Sequence, residues 1–194
     1  ADYLNPTTLG LNSYMSQLGN TVIVSRRVVS SVSRDYYEMK FGQAVNVETQ
    51  LGYARIDAAK AGSKRGCTIN IAPHVKAVSI YGSYTGLSEW KDTKIVIAAR
   101  SEKLYIFMSD VSFMANNGAS VIDAQNCPDL DLYLSDTVLT AGEVNVQDSY
   151  AAIVCNNLTL DGYSIKINGG SHVYAATRHA TSGIYSGNAN ARLL

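Results

Sequence analysis

A chain of 194 residues, 46% of them apolar, is long enough for one domain with a sizeable core. Sixteen basic side chains balance sixteen acidic ones. This argues against a nucleic-acid binder, which carries a basic stripe, and against a polybasic membrane handle. No apolar run approaches the ~18 residues of a membrane-spanning helix, so no membrane insertion is expected.

Thirteen Tyr stand against three Phe and one Trp. Tyr joins an apolar ring to a polar tip and suits half-exposed binding faces. The N-terminal stretch ADYLNPTTLG has no initiator Met, basic n-region or apolar h-region, which reads as a mature or excised fragment. Next, Leu9, Tyr14, Met15 and Leu18 fall near helical spacing after Pro6. The segment NTVIVSRRVVSSVSRDYYEMKFG then reads as strands. Residues 1–44 are therefore expected to form an N-terminal cap, because the end of a stacked fold otherwise exposes strand edges and core.

From residue 45 a repeat begins. Val45, Val47 and Ile56 recur 24 positions later as Ile69, Ile71 and Ile80. Ile69 and Ile71 recur at a step of 26 as Ile95 and Ile97, with Val121 another 26 on. In the longer strand, Leu104, Ile106 and Met108 recur 26 positions later as Leu130, Leu132 and Leu134, and "SD" recurs as Ser109-Asp110 and Ser135-Asp136. Stepping back 26 places Val78, Ile80 and Ser83 in the series, and stepping forward 28 places Leu158 and Leu160. Within each copy the apolar period is two, as in a half-buried strand. A unit of two short strands cannot bury its apolar face alone, whereas stacked copies can. The expected fold is all-β: a β-solenoid (parallel β-helix) over residues 45–175, with rungs of ~26 residues spaced about 4.8 Å apart. A leucine-rich repeat lacks its pattern here, and a β-sandwich would need the recurrence to be chance. Residues 176–194 read as a frayed tail or cut point.

These residues resemble right-handed parallel β-helix proteins of the pectate-lyase-like class. The resemblance is carried by LYIFMSD, LDLYLSD and LTLDGYSIKINGG with their NNG, AGE and NGG turns. More narrowly, they resemble the β-helical carbohydrate-binding modules of secreted bacterial surface proteins. That resemblance implies an extracellular or cell-surface location and polysaccharide binding, sometimes calcium-assisted.

Between the core positions of the long strand lie residues expected to face outward: Tyr81, Phe107 and Tyr133 in one ladder, with Tyr105 beside it. Exposed rings suit the flat faces of sugars, so these four are the candidate ligand-binding residues. The alternative is a ladder packed under a neighbour or stabilised by its own stacking. Ser83, Ser109 and Ser135 form a second ladder, read as turn-satisfying hydroxyls. Asp110 and Asp136 stack beside them. Calcium, which takes several oxygen ligands, could bridge these two, and no other cofactor is expected; the alternative is two turn residues splayed into water.

The chain shows no Gly-x-Ser-x-Gly elbow or P-loop, and His74, His172 and His179 are isolated. Arg100 and Lys103 form no recognisable arrangement with Asp110 or Asp123, so the reading is non-catalytic. Cys127 and Cys155 share the 28-residue offset of Leu130 and Leu158, which permits either a cross-rung disulfide or two stacked thiols. Cys67 has no register partner and reads as a core thiol. The functional expectation is a polysaccharide-binding module. The alternatives are a structural spacer or self-assembling fibre, adhesin or phage-tail segment contacting neighbouring chains, possible homo-oligomers included, and then a lyase or hydrolase.

Overall fold

The computed structural model describes residues 35–49, 52–58, 63–82, 87–116, 119–142, 151–169 and 184–193. The early helix expected around Leu9–Leu18 and the residue Ser83 lie outside them. The described residues form eleven strands and no helix: β1 (Asp35–Glu38), β2 (Ala44–Val47), β3 (Tyr53–Asp57), β4 (Ser63–Ile71), β5 (Ala77–Tyr81), β6 (Ser88–Ile97), β7 (Leu104–Met114), β8 (Ile122–Ala124), β9 (Leu130–Thr140), β10 (Ile153–Asn168) and β11 (Ile184–Leu193). Every pairing is parallel. The described residues form a parallel β-solenoid with rungs about 26 residues apart.

Three ladders make the wall. The first runs β1–β3–β5–β7–β9–β10–β11, using the front halves of β7 and β9. The second joins the starts of β4 and β6 to the back halves of β7 and β9 and the end of β10. The third runs β2–β4–β6–β8–β10–β11. Both β1 and β2 therefore lie in the wall, although the sequence repeat becomes visible only at Val45.

Alternation along each strand sends one row inward, and stacking turns these rows into columns. Val45, Ile69, Ile95, Ile122 and Ile153 form one. Ile56, Ile80, Met108 and Leu134 form another. Trp90, Phe113 and Leu139 form a third, and all are buried. β-Branched and other bulky apolar side chains fill such columns because each meets its like one strand spacing away. The indole N–H of Trp90 is satisfied inside, donating to the Ala58 carbonyl at 2.7 Å.

A strand that continues from one ladder to the next must bend, and the bends have a common chemistry. Asp110 (φ 57°), Asp136 (φ 46°) and Ser164 (φ 54°) occupy the corner between the first and second ladders. Gly66 (φ 77°) and Asp92 (φ 50°) occupy the corner between the second and third. All are left-handed, a conformation that Gly takes freely and Asp tolerates better than most residues. After two of the Asp corners comes an inward Thr. Thr93 donates to the Lys91 carbonyl at 2.9 Å, and Thr137 to the Ser135 carbonyl at 2.8 Å. The recurring Ser-Asp is thus the mark of a corner. Gly82 occupies the place below Asp110, and a Cβ there would lie 1.7 Å from the Asp110 carbonyl oxygen, so only glycine fits.

Three register details differ from the sequence repeat. Between β5 and β7 the step is 28 rather than 26: Ile80 pairs with Met108 and Tyr81 with Ser109. The two added residues lie in the turn after β6, since Ile71 leads to Ala77 in six residues and Ile97 to its partner Tyr105 in eight. An even slip keeps every side chain on its own face. That longer turn carries Arg100, whose guanidinium donates to the Ala72 carbonyl at 2.6 Å and to the Val75 carbonyl of the turn below. In the third ladder Ile95 pairs with Ile122, not Val121, and the N–H groups of both Val121 and Ile122 point to the Ala152 carbonyl. Finally, Cys155 pairs with Ala124, so Cys127 is not its register partner. Cys67, Cys127 and Cys155 are all buried, and none forms a disulfide.

Two stability outcomes follow from the corners and columns. Asp136→Gly should raise the unfolding free energy by about 0.5–1 kcal/mol and Asp136→Val should lower it by about 1–2 kcal/mol, because only the backbone cost of the left-handed corner changes sign. Trp90→Phe should cost about 1–3 kcal/mol by stranding the Ala58 carbonyl. Both are read by urea denaturation.

Candidate functional site

Outward residues of the first ladder form rows across its strands. One row reads Tyr36, Arg55, Ser79, Phe107, Tyr133, Asp161. The next reads Glu38, Asp57, Tyr81, Ser109, Ser135, Tyr163. Phe107 and Tyr133 stand side by side as expected, with ring centroids 6.2 Å apart and planes tilted by 41°. Tyr81 does not join them: the 28-residue step puts it beside Ser109, and Ser79 takes the place next to Phe107. Nor is this stretch open. Phe107 and Tyr133 are each 6% exposed, although neither belongs to the inner core cluster. The exposed aromatic ladder is therefore corrected to a buried pair, with Tyr81 in a different row.

Tyr105 is half-buried on a third row beside Asp131. Asp131 is itself buried and pairs with Lys103 at 3.6 Å. The Lys103 ammonium also lies 5.6 Å from the Tyr105 ring centroid. Burial pushes the Tyr105 phenol up to about 12, with the Asp131 charge adding to the effect. Burial also raises the Asp131 carboxyl above its ordinary range, with Lys103 and Thr159 opposing. Arg100 and Lys103, the basic residues nearest the strand edge, are thus engaged in a carbonyl clamp and an ion pair.

Asp110 and Asp136 stack at one corner, as the repeat places them. Burial raises the Asp110 carboxyl, the Ser109 hydroxyl donating at 3.3 Å lowers it, and the neighbouring Asp136 charge raises it again. Among the described residues, no three His, Cys, Asp or Glu side chains gather where they could hold a metal ion. His74 lies 3.3 Å from the Glu48 carbonyl; His172 and His179 fall outside the described residues.

Among the described residues, the outer surface is open at the β1 end of the first ladder. A cleft of about 680 Å³ lies there, lined by Tyr36, Tyr37 and Glu38 of β1, by Lys40 and Gln43 of the following turn, and by Arg55 and Asp57 of β3. Register brings these groups together: Tyr36 pairs with Arg55, and Glu38 with Asp57. The Arg55 guanidinium sits 3.9 Å from the Tyr81 ring centroid and 5.6 Å from that of Tyr36. Such stacking holds a planar cation in place at a cost in side-chain freedom met before any ligand arrives. Tyr36 remains 70% exposed. The Tyr37 hydroxyl accepts the Glu48 backbone N–H at 3.2 Å, fixing the ring at the cleft edge.

None of the expected binding residues lines this cleft; Tyr81 meets it only through the Arg55 guanidinium stacked on its ring. Tyr36 and Arg55 lie 19 residues apart in sequence, a step belonging to no repeat, so only their pairing reveals the cleft. Comparison with protein-family models, curated proteins and solved structures finds no match.

Asp131 generates a pH prediction. Its carboxyl is raised in the folded chain, so wild-type stability declines as pH rises from below the unfolded carboxylate value, about 3.9, through the folded one. Asp131→Asn should therefore be more stable than wild type at pH 7 and lose that advantage below about pH 4. Lys103→Met should lower stability at pH 7. Thermal unfolding across pH 3–8 checks both.

Proposed function

We propose that this chain is a non-catalytic β-solenoid module that binds polysaccharide in the cleft lined by Tyr36 and Arg55, acting outside the cell or at its surface. The observation that carries this reading is the guanidinium of Arg55 stacked against Tyr81 and Tyr36 beside two exposed carboxylates and an amide. A sugar presents an apolar C–H face and a rim of hydroxyls. An exposed Tyr ring offers a flat partner for the first. Carboxylates accept from the second, while guanidinium, ammonium and amide groups donate to it. The cleft volume of about 680 Å³ falls in the range of small-molecule sites. Relative to the expectation from sequence, the ligand class is kept and the place moves to the β1 end of the ladder.

One observation favours the assembly reading: Tyr36 and Phe41 are 70% and 69% exposed near the same end of the solenoid, and large exposed apolar side chains also serve contacts between chains.

Affinity electrophoresis of the full chain against soluble polysaccharides separates the two. Binding by monomeric protein should fall at least tenfold in Tyr36→Ala and in Arg55→Ala, by loss of ~1.4 kcal/mol or more, with the circular dichroism unchanged. Absence of binding, together with a scattering mass that rises with concentration and drops in Phe41→Ser, would instead establish an assembly surface.

A further inference from the structure

We infer that the cleft is built for a neutral polysaccharide and discriminates against uronate- and sulfate-bearing chains. This rests on the polysaccharide reading and adds its chemical class. Lys40 and Arg55 bring two positive charges to the cleft, and Glu38 and Asp57 bring two negative ones. Glu38 and Asp57 are register partners on adjacent strands, so their carboxylates lie on the same stretch of wall as Arg55 rather than at opposite ends of the cleft. A ligand carboxylate or sulfate approaching Arg55 therefore enters a cleft that also holds two like charges. Its attraction to the cations is offset while its desolvation cost remains.

A neutral hexose chain meets no such opposition. Its hydroxyls donate to Glu38 and Asp57 and accept from Arg55, Lys40 and Gln43, and every one of the four charged groups then makes a charge-assisted hydrogen bond. The rings reinforce the choice. The π faces of Tyr81 and Tyr36 already act on the Arg55 guanidinium. They satisfy part of its charge without ligand, and they leave Tyr36 exposed for an apolar sugar face. The carboxylates are thus selectivity elements: they bind hydroxyls and repel anions, which is how a site excludes a near relative of its ligand.

The test is a titration of the full chain with a neutral panel (glucomannan, galactomannan, hydroxyethylcellulose) and an acidic panel (polygalacturonate, alginate, a sulfated galactan), at low salt and at about 0.3 M NaCl. The inference expects binding to at least one neutral chain, changing less than about twofold with salt, and at least tenfold weaker binding to every acidic chain. It also expects the double variant Glu38→Gln, Asp57→Asn to lose at least tenfold on the neutral chain and to gain salt-sensitive binding to polygalacturonate. Wild-type preference for an acidic chain, with affinity falling as salt rises, would overturn the neutral class and leave polysaccharide binding standing. So would a double variant with unchanged selectivity. Binding to neither panel would overturn the polysaccharide reading and this inference with it.

Discussion

Parallel pairing between successive turns is the constraint on which the rest depends. Each turn must place its strands one strand spacing from the turn beside it, so every bend must be repeated at the same place in the next turn. The chain bends by putting one residue into the left-handed region, at Gly66 and Asp92 on one edge and at Asp110, Asp136 and Ser164 on another. Because these residues stack, the backbone carbonyls around them crowd their neighbours. A Cβ on Gly162 would come within 1.9 Å of the Leu134 carbonyl oxygen, as one on Gly82 would on Asp110. Aspartate at such corners is chosen for its backbone tolerance, and its charge is then something the fold must accommodate.

Stacking also decides where polar groups go. The turns joining third to first ladder expose carbonyls that no strand can take, and the next turn supplies donors. Arg100 reaches back to Ala72 and Val75. Asn156 reaches to the carbonyls of Gln125 and Cys127, and Asn157 to that of Pro128. These donors replace water where rungs meet, so a longer turn is tolerated if it carries its own clamp. The Arg100 clamp and the 28-residue step at that turn are two aspects of one local solution.

Most of the fold was legible because inward columns impose a period. The 24-residue relation of Val45 to Ile69, the 26-residue relations of Ile69 to Ile95 and Leu104 to Leu130, and the 28-residue relation of Leu130 to Leu158 all appear as strand pairings. The failures arise where turn length varies. Extrapolating 26 across the Arg100 turn misplaced Tyr81, and the doubled contact at Ala152 displaced Val121 in favour of Ile122. Outward residues suffer most, since alternation predicts direction but not cover. Phe107 and Tyr133 point away from the core yet are buried. The recurring Ser-Asp at 109–110 and 135–136 was a readable corner signal, and the cleft was not readable, since it joins β1 to β3 across a non-repeating step.

The proposed ligand contact is local to the β1 end of the first ladder, at Tyr36 and Arg55 with Tyr81 behind the guanidinium, and not at the buried Phe107–Tyr133 pair. Amide and side-chain NMR shifts recorded while a neutral oligosaccharide is titrated into the labelled chain test this most directly. The account predicts that the perturbed signals cluster on β1, the turn through Gln43, β3 and the end of β5. Perturbation centred on Phe107, Tyr133 and Asp161, or a saturating titration that leaves the β1 end unmoved, would contradict it.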